Sequence, residues 1–213
     1  MNISILTTSK EHPVNPYLVK WAEKNKGSHQ ISLLHSVGDL SKGDILFLIS
    51  CSEIVSRQVR DRFQKTLVAH ASDLPNGRGW NPYIWEIIAG ATEITLSLIE
   101  AEDQVDTGNI WKKLNINIPK TALFNEINQL IFNAEIELMD FSIDNFGTIK
   151  PKKQSGYNAS YFPKRTPENS EIDINKNLSD QFDLIRVCDA KRFPAFFYKD
   201  GQKFNLIIHK DNE

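Results

Sequence analysis

Residues 68–79 read VAHASDLPNGRG. An apolar run ends there, a histidine follows, and Ser72, Pro75, Asn76, Gly77 and Gly79 build a turn-rich loop that exposes backbone amides. A histidine at the carboxyl end of a strand stands where open α/β sheets collect their ligands. Farther along, residues 100–108 read EAEDQVDTG and set four carboxylates within seven residues. The last of these, Asp106, precedes Thr107-Gly108, a tight turn able to aim the carboxylate inward. An imidazole and a carboxylate on neighbouring strand ends can pass a proton between them, which is the equipment of general acid–base chemistry. Arg78 is the cation inside the His70 loop, suited to a phosphate or a sugar hydroxyl, or to bracing the loop. Singly, each signal is weak, because a strand-end histidine is often structural and an acidic loop is often a solvated turn.

The elements that must position these groups follow from apolar patterning. Residues 2–8 are apolar and β-branched, a buried first strand. Asn15-Pro16 opens a short helix carrying Tyr17, Leu18 and Trp21 and ending near Gly27. Residues 29–35 form a second strand, and residues 44–50, apolar throughout, a parallel strand covered on both faces. Residues 52–63 place Ile54, Val55, Val59 and Phe63 at helical spacing, and residues 67–69 make a short strand into the His70 loop. This alternation predicts an α/β sheet with right-handed crossovers.

The second half changes character. Asn81-Pro82 opens a helix through Ile84, Trp85 and Ile88 to Gly90. Residues 92–100 alternate Ile94, Leu96 and Leu98 with polar neighbours, predicting a strand with one wet face. Residues 121–138 are the longest helix candidate. Residues 144–176 are polar and punctuated by glycine and proline, a connecting arm, and residues 193–209 contain a hairpin around Asp200-Gly201. The chain therefore divides into a core of residues 1–143 and an arm with hairpin over residues 144–213.

Composition bounds the rest. With 213 residues, 40% of them hydrophobic, 24% charged and a net charge of −2, the chain can bury a core, which excludes wholesale disorder. No apolar stretch approaches the roughly 18 residues of a membrane span, and the first apolar run lacks the basic flank of a secretory signal. Cys51 and Cys188 lie too far apart for a disulfide framework or a zinc site, so no metal is expected. A pI near 6.2 argues against an obligate nucleic-acid binder, since phosphate neutralisation needs concentrated Lys and Arg. The expectation is a cytoplasmic protein with no membrane and no nucleic acid as partner.

The order and spacing of the motifs carry more than any one of them. His-x-Ser-x-Leu-Pro, then glycine, then a helix holding tryptophan and ending in glycine, then an acidic loop closing on Asp-Thr-Gly, resembles the formyltransferase family. Here the stretch runs His70-Ala71-Ser72-Asp73-Leu74-Pro75-Asn76-Gly77-Arg78-Gly79-Trp80-Asn81-Pro82, through Trp85 and Gly90, to Val105-Asp106-Thr107-Gly108-Asn109-Ile110. The variant His-Ala-Ser-Asp-Leu-Pro with Gly-Arg-Gly-Trp looks more like formyltransferases acting on nucleotide-linked amino sugars than like the methionyl-tRNA enzyme. Tyr161-Phe162-Pro163-Lys164-Arg165-Thr166-Pro167-Glu168 with Ile172-Asp173, and later Ile185-Arg186 and Pro194-Ala195-Phe196, are similar to the segment after the catalytic core in that branch. Enzymes of pseudaminic-acid or dideoxy-amino-sugar synthesis belong to it. The resemblance covers residues 66–111 most closely and extends over 157–208. It implies a Rossmann-like α/β formyltransferase domain with a mostly parallel sheet and a short C-terminal extension containing a β-hairpin.

The implied reaction moves a formyl group from the co-substrate 10-formyltetrahydrofolate to the amine of a nucleotide-linked amino sugar. By resemblance, His70 would donate to the developing oxyanion, and Asp106 would orient that imidazole or accept the amine's proton. The folate would lie along the acidic loop, held by backbone groups of Glu102, Asp103 and Val105. Ser72, Arg78, Gly79, Trp80 and Asn81 would meet the sugar nucleotide, with Tyr157, Phe162 and Arg165 in the arm toward its base or pyrophosphate. The family's asparagine, two residues before the histidine, is replaced here by Val68. Thr66, Asn109 or a backbone amide could fill its role. Failing that, the chain would be a degenerate module that only binds. A formyltetrahydrofolate hydrolase, or a formyltransferase with a different amine acceptor, would share the same fold and motifs. The methionyl-tRNA enzyme is expected to carry a larger C-terminal domain than the roughly 60 residues beyond Lys150. Family analogy also suggests a homodimer, for which Phe193, Phe196, Phe197 and Tyr198 fit the interface or, on the preferred reading, the core of the hairpin.

Overall fold

The structure is a computed structural model and describes residues 1–155 and 159–211. Its centre is a six-stranded sheet in the order β2-β1-β3-β4-β6-β7. Strands β1 (Asn2–Leu6), β2 (Gln30–Leu34), β3 (Gly43–Leu48) and β4 (Phe63–His70) run parallel. Strands β6 (Glu93–Glu100) and β7 (Ile110–Asn117) continue the sheet antiparallel. The mostly parallel α/β sheet and the C-terminal hairpin expected from the sequence are both present.

One face of the sheet is covered by α1 (Asn15–Asn25) and α4 (Phe124–Asp144). The apolar stripe of α4, Ile127, Ile131, Phe132, Ala134 and Leu138, packs with Leu67, Ile94, Leu96, Leu98 and Trp111 in the main core. Trp21 of α1 donates its indole N–H to Asp140 of α4 at 2.6 Å, joining the two helices over the sheet. The opposite face holds a smaller cluster of Leu6, Leu40, Leu46, Leu48, Val55 and Phe63, against which Val68 packs. The helix nearest to it in sequence, α2 (Arg57–Arg60), has only four residues.

Two expectations change here. The helix expected over residues 52–63 contracts to Arg57–Arg60, because Phe63 already pairs with Gly43 and Lys65 with Ile45, so β4 begins there and runs eight residues. The wet face expected on β6 is wet only at its start: Glu93 is exposed and Thr95 half-buried, whereas Ser97 is fully buried and donates to the carbonyl of Ser72 at 2.7 Å, so the His70 loop covers the far end of that face. Strand β7 and helix α5 (Leu178–Arg186) add two elements to those expected from the sequence.

The C-terminal third packs back on the core. Lys152 and Ile110 exchange backbone hydrogen bonds of 2.7 and 2.8 Å. Strand β8 (Tyr161–Phe162) pairs parallel with β5 (Arg78–Gly79), just ahead of α3 (Pro82–Ile88). Arg186 of α5 is 1% exposed and donates to the carbonyls of Pro119 and Ala122 at 3.2 and 3.3 Å. Strands β9 (Ala195–Lys199) and β10 (Gln202–Leu206) form the hairpin, and its turn sets Asp200 and Gly201 at φ 51° and 77°, as a two-residue hairpin turn requires. Phe196 is buried there, whereas Phe193 and Tyr198 are exposed. Among the described residues no helix is long and apolar enough to cross a membrane.

Candidate active site

Strand β4 delivers His70 to its carboxyl end, 7% exposed. The loop after it is held from several directions. Ser97 fixes the carbonyl of Ser72, and Lys113 reaches the carbonyl of Leu74 at 2.7 Å and the carboxylate of Asp73. The arm completes the hold: Ser160 accepts from the Gly77 N–H at 2.8 Å through its hydroxyl and from the Arg78 N–H at 2.9 Å through its carbonyl. The Phe162 carbonyl accepts from the Trp80 N–H at 3.1 Å. That approach requires glycine at position 79, where φ is +97° and a Cβ would stand 2.3 Å from the Phe162 carbonyl oxygen.

The acidic loop brings Asp106 to the same point. Asp106 is buried in the left-handed region at φ 59°, a strained conformation for a residue other than glycine. Two residues on, Gly108 lies so close to the end of β6 that a Cβ would meet the Glu100 carbonyl oxygen at 1.7 Å. Asp106 Oδ2 accepts from the Gly79 N–H at 2.9 Å, and its Oδ1 lies 3.5 Å from His70 Nδ1. The other ring nitrogen of His70, Nε2, lies 2.8 Å from the Gly77 carbonyl oxygen. Both nitrogens therefore face acceptors. A neutral imidazole carries one N–H and serves one of them, so a proton arriving at this pair would satisfy the second.

The structure thus brings His70, Asp106, Arg78 and Gly79 into one hydrogen-bonded group. Arg78 is buried and turned inward, donating to the Tyr161 hydroxyl at 3.2 Å and to Gln154 Oε1 at 2.8 Å. Ser72 is fully buried under the loop, and its hydroxyl has no hydrogen-bond partner among the described residues. Trp80 is 40% exposed with the Lys164 ammonium 4.8 Å from its ring centre, and Asn81 is exposed at the start of α3. Arg165 lies over Trp85 at 5.9 Å, and Trp85 stacks on Phe162 at 6.4 Å, making an aromatic and cationic strip along the arm beside the His70 loop. Tyr157 lies outside the described residues. Glu102, Asp103 and Val105 are exposed along the acidic loop, with Asp103 paired to the buried guanidinium of Arg60.

Position 68, two residues before His70, holds a half-buried valine paired with Leu48 and Ile99. Asn109 donates its amide to Glu100 Oε2 at 2.9 Å, and Thr66 sits two pleats back from His70, about 13 Å along the strand. Thr66 instead lines a cavity of about 340 Å³ with Arg60, Lys65, Glu100, Glu102 and Asp103, and its buried hydroxyl has no partner among the described residues. Burial opposes the charge of Glu100, but hydrogen bonds from Lys65 and Asn109 outweigh it and hold the carboxyl below its ordinary range. On α3, burial and then the nearby charge of Asp73 push Glu86 up to about 7. Among the described residues no three His, Cys, Asp or Glu side chains gather as metal ligands would.

Sequence reasoning missed Ser97 and Lys113 under the loop and, in the arm, Gln154 and Ser160, while Phe162 holds the loop through its carbonyl as well as offering its ring. The arm residues act across about 45 residues or more of chain, and nothing local marks a polar arm residue that will dock on a distant loop.

Residues 5–140 match the family model described as Formyl transferase. The methionyl-tRNA formyltransferase of Clostridium acetobutylicum is 27% identical over 178 residues, covering 82% of this chain and 57% of that protein. The chain spans about half the length of the curated relatives it matches. Among solved structures, a methionyl-tRNA formyltransferase from Clostridium thermocellum superposes with a TM-score of 0.82 at 25% identity, covering 95% of this chain and 90% of that one. A sugar N-formyltransferase from a Shewanella species gives 0.74 at 15% identity, covering 100% and 99%; that likeness is one of fold.

Proposed function

The chain belongs to the formyl transferase family, and on that premise we propose that it transfers a formyl group from 10-formyltetrahydrofolate to the amine of a nucleotide-linked amino sugar. The observation that carries the transfer chemistry is the His70–Asp106 pair, 3.5 Å apart and backed by the Gly79 N–H. The donor supplies an activated one-carbon electrophile. The acidic loop is where this reading places the donor: the cavity beside it is lined by paired charges and by the Thr66 hydroxyl, unpartnered among the described residues, polar surroundings suited to a flat heterocycle. Glu102 and Asp103 line that cavity and Val105 is exposed just before Asp106, and on this reading their backbone groups would hold the donor.

The acceptor must attack as a neutral amine, and once the new C–N bond forms its proton has to leave. The His70–Asp106 pair takes that proton, since its two ring nitrogens face two acceptors and one proton is wanting. A proton held on that pair would add positive charge beside the reacting formyl group and so stabilise charge developing on its oxygen. The sugar nucleotide is favoured as acceptor by the strip of Trp80, Lys164, Trp85, Phe162 and Arg165, where planar rings and cations suit a base and a pyrophosphate. Arg78 serves this reading as a brace of the loop. The same reading includes a homodimer through the hairpin, where Phe193, Tyr198 and Phe204 are exposed; sedimentation at micromolar concentration checks it.

A second reading, with methionyl-tRNA as acceptor, is favoured by the names of the curated relatives. The deciding measurement is tetrahydrofolate release from 10-formyltetrahydrofolate with UDP- and dTDP-linked amino sugars, with methionyl-tRNA, and with neither. Release that depends on one sugar nucleotide is the expected result. Release that requires the tRNA supports the second reading, release without an acceptor identifies a hydrolase, and no release with any addition refutes all three.

A further inference from the structure

Asp106 reaches His70 only because its turn adopts the left-handed region at φ 59°, which aspartate tolerates better than most residues but still at a cost, so contacts that hold the turn matter. Its own loop supplies a single side-chain restraint among the described residues, across the turn from Thr107 to Gln104. The preceding residues 102–105 are exposed, and Thr107 bonds back to Gln104 at 2.7 Å without touching Asp106.

The hold comes from the arm. Gln154 donates Nε2–H to the carbonyl of Asp106 and to that of Gly108, both at 2.9 Å, bridging the turn from outside. Its Oε1 accepts from Arg78 at 2.8 Å. Arg78 is covalently joined to Gly79, whose N–H donates to Asp106 Oδ2. The result is a closed ring of hydrogen bonds, from Arg78 to Gln154 to the Asp106 backbone, and from the Asp106 carboxylate back to Gly79. Two features aim Gln154 independently of its own side chain: the exchanged backbone bonds between Lys152 and Ile110 just before it, and the β5–β8 pairing after it. It is half-buried between the exposed Lys153 and Ser155. The Arg78 guanidinium, 5.8 Å from the Tyr161 ring, is fixed from its other side as well.

Resting on the formyl-transfer reading above, we infer that Gln154 is a positioning residue for the reaction, setting the Asp106 carboxylate against His70 through the two carbonyls it bridges. It touches neither imidazole nor carboxylate. The two amide hydrogens are the working part, and Oε1 serves to orient them.

Two substitutions separate those parts. Gln154→Met keeps the length of the side chain and removes every hydrogen bond; Gln154→Glu keeps an acceptor for Arg78 but cannot donate at neutral pH. Both are expected to lower kcat about tenfold, the scale for losing two hydrogen bonds that restrain a strained turn. KM for the formyl donor stays within about twofold, and the pH profile of kcat changes shape. Backbone amides of residues 106–109 exchange with deuterium faster in both variants. Native-like kcat and pH profile in the Met variant overturn the inference, as does full activity in the Glu variant, which would assign the role to Arg78 anchoring alone. Should the Met variant not fold, the Glu variant alone decides. A native protein that transfers formyl to no acceptor defeats the functional reading by itself. Amide exchange then judges Gln154, and unchanged exchange at residues 106–109 overturns its role.

Discussion

Replacing Glu135 by glutamine should change how the stability of this protein responds to pH, because this buried carboxyl makes a large contribution to that response. Glu135 lies on α4 with 5% of its surface exposed, and its Oε2 has no hydrogen-bond partner among the described residues. Burial pushes its titration from 4.5 up to about 8. The Tyr83 hydroxyl nearby donates to Asn128 Oδ1 at 3.0 Å, and burial, then the Glu135 charge, keep it protonated across the whole range of interest. Between pH 4.5 and about 8 the native state therefore holds a proton that the unfolded chain has released, and each rise in pH favours unfolding. At about 1.4 kcal/mol per pH unit, the accumulated penalty is about 2 kcal/mol at pH 6 and about 3 kcal/mol at pH 7.

Two other groups act in the same window. Burial, then the charge of Arg192, lowers His12 from 6.5 to about 4, so its contribution to stability rises with pH over that interval and opposes Glu135. Glu86, raised to about 7, works in the same direction as Glu135. A stability profile of the native protein mixes all three, whereas the difference between the Glu135→Gln variant and the native protein isolates one. Urea unfolding at half-unit steps from pH 5 to 8.5 reads that difference. The variant should gain on the native protein by about 1.4 kcal/mol per unit up to roughly pH 7.5 and then level off. Two parallel profiles would refute the reasoning, since they would mean that Glu135 ionises in the fold as freely as it does in the unfolded chain.

The site supports three further predictions. His70→Ala should reduce formyl transfer at least about a hundredfold with the fold intact by circular dichroism, and a folded variant with near-normal turnover removes His70 from the mechanism. Val68→Asn puts a side-chain donor two residues before His70 on the same strand face. A rise in kcat of about tenfold would show that the native site lacks a full oxyanion donor, while flat or lower activity would show that the site stabilises the oxyanion by other means. Gly79→Ala drives a Cβ against the Phe162 carbonyl, 2.3 Å away, and should detach β8 from β5. Proteolysis within the arm should then quicken and turnover fall; an arm as protected as in the native protein would contradict the pairing.

Much of the architecture was legible because it is written in local patterns. Apolar runs at residues 2–8 and 44–50 declared β1 and β3, Asn15-Pro16 and Asn81-Pro82 marked the starts of α1 and α3, and Asp200-Gly201 declared the hairpin turn. Strand β7 shows the alternation Leu114-Asn115-Ile116-Asn117 between Thr107-Gly108 and Pro119, but Trp111, Lys112 and Lys113 break the pattern over its first half, and the strand was not expected. The helix expected before Phe63 yielded to strand pairing with β3, a decision made by a neighbour that local spacing does not report.

The sequence by itself determined the chemical inventory of the site: a histidine at a strand end, an aspartate before Thr-Gly, and the glycines and proline of the loop between them. Their types and order needed no structure, because loop chemistry and strand-end placement depend on residues close in the chain. Only the tertiary structure decided that His70 and Asp106 meet, that Arg78 faces inward, and that Ser97 lies under the loop. It alone brought Gln154, Ser160 and the Phe162 carbonyl from the arm to hold the loop and the Asp106 turn. Each of those contacts joins groups 25 to 83 residues apart or closes on a backbone carbonyl. Backbone groups look the same at every position in a sequence, so which of them will be used is settled only when the chain packs.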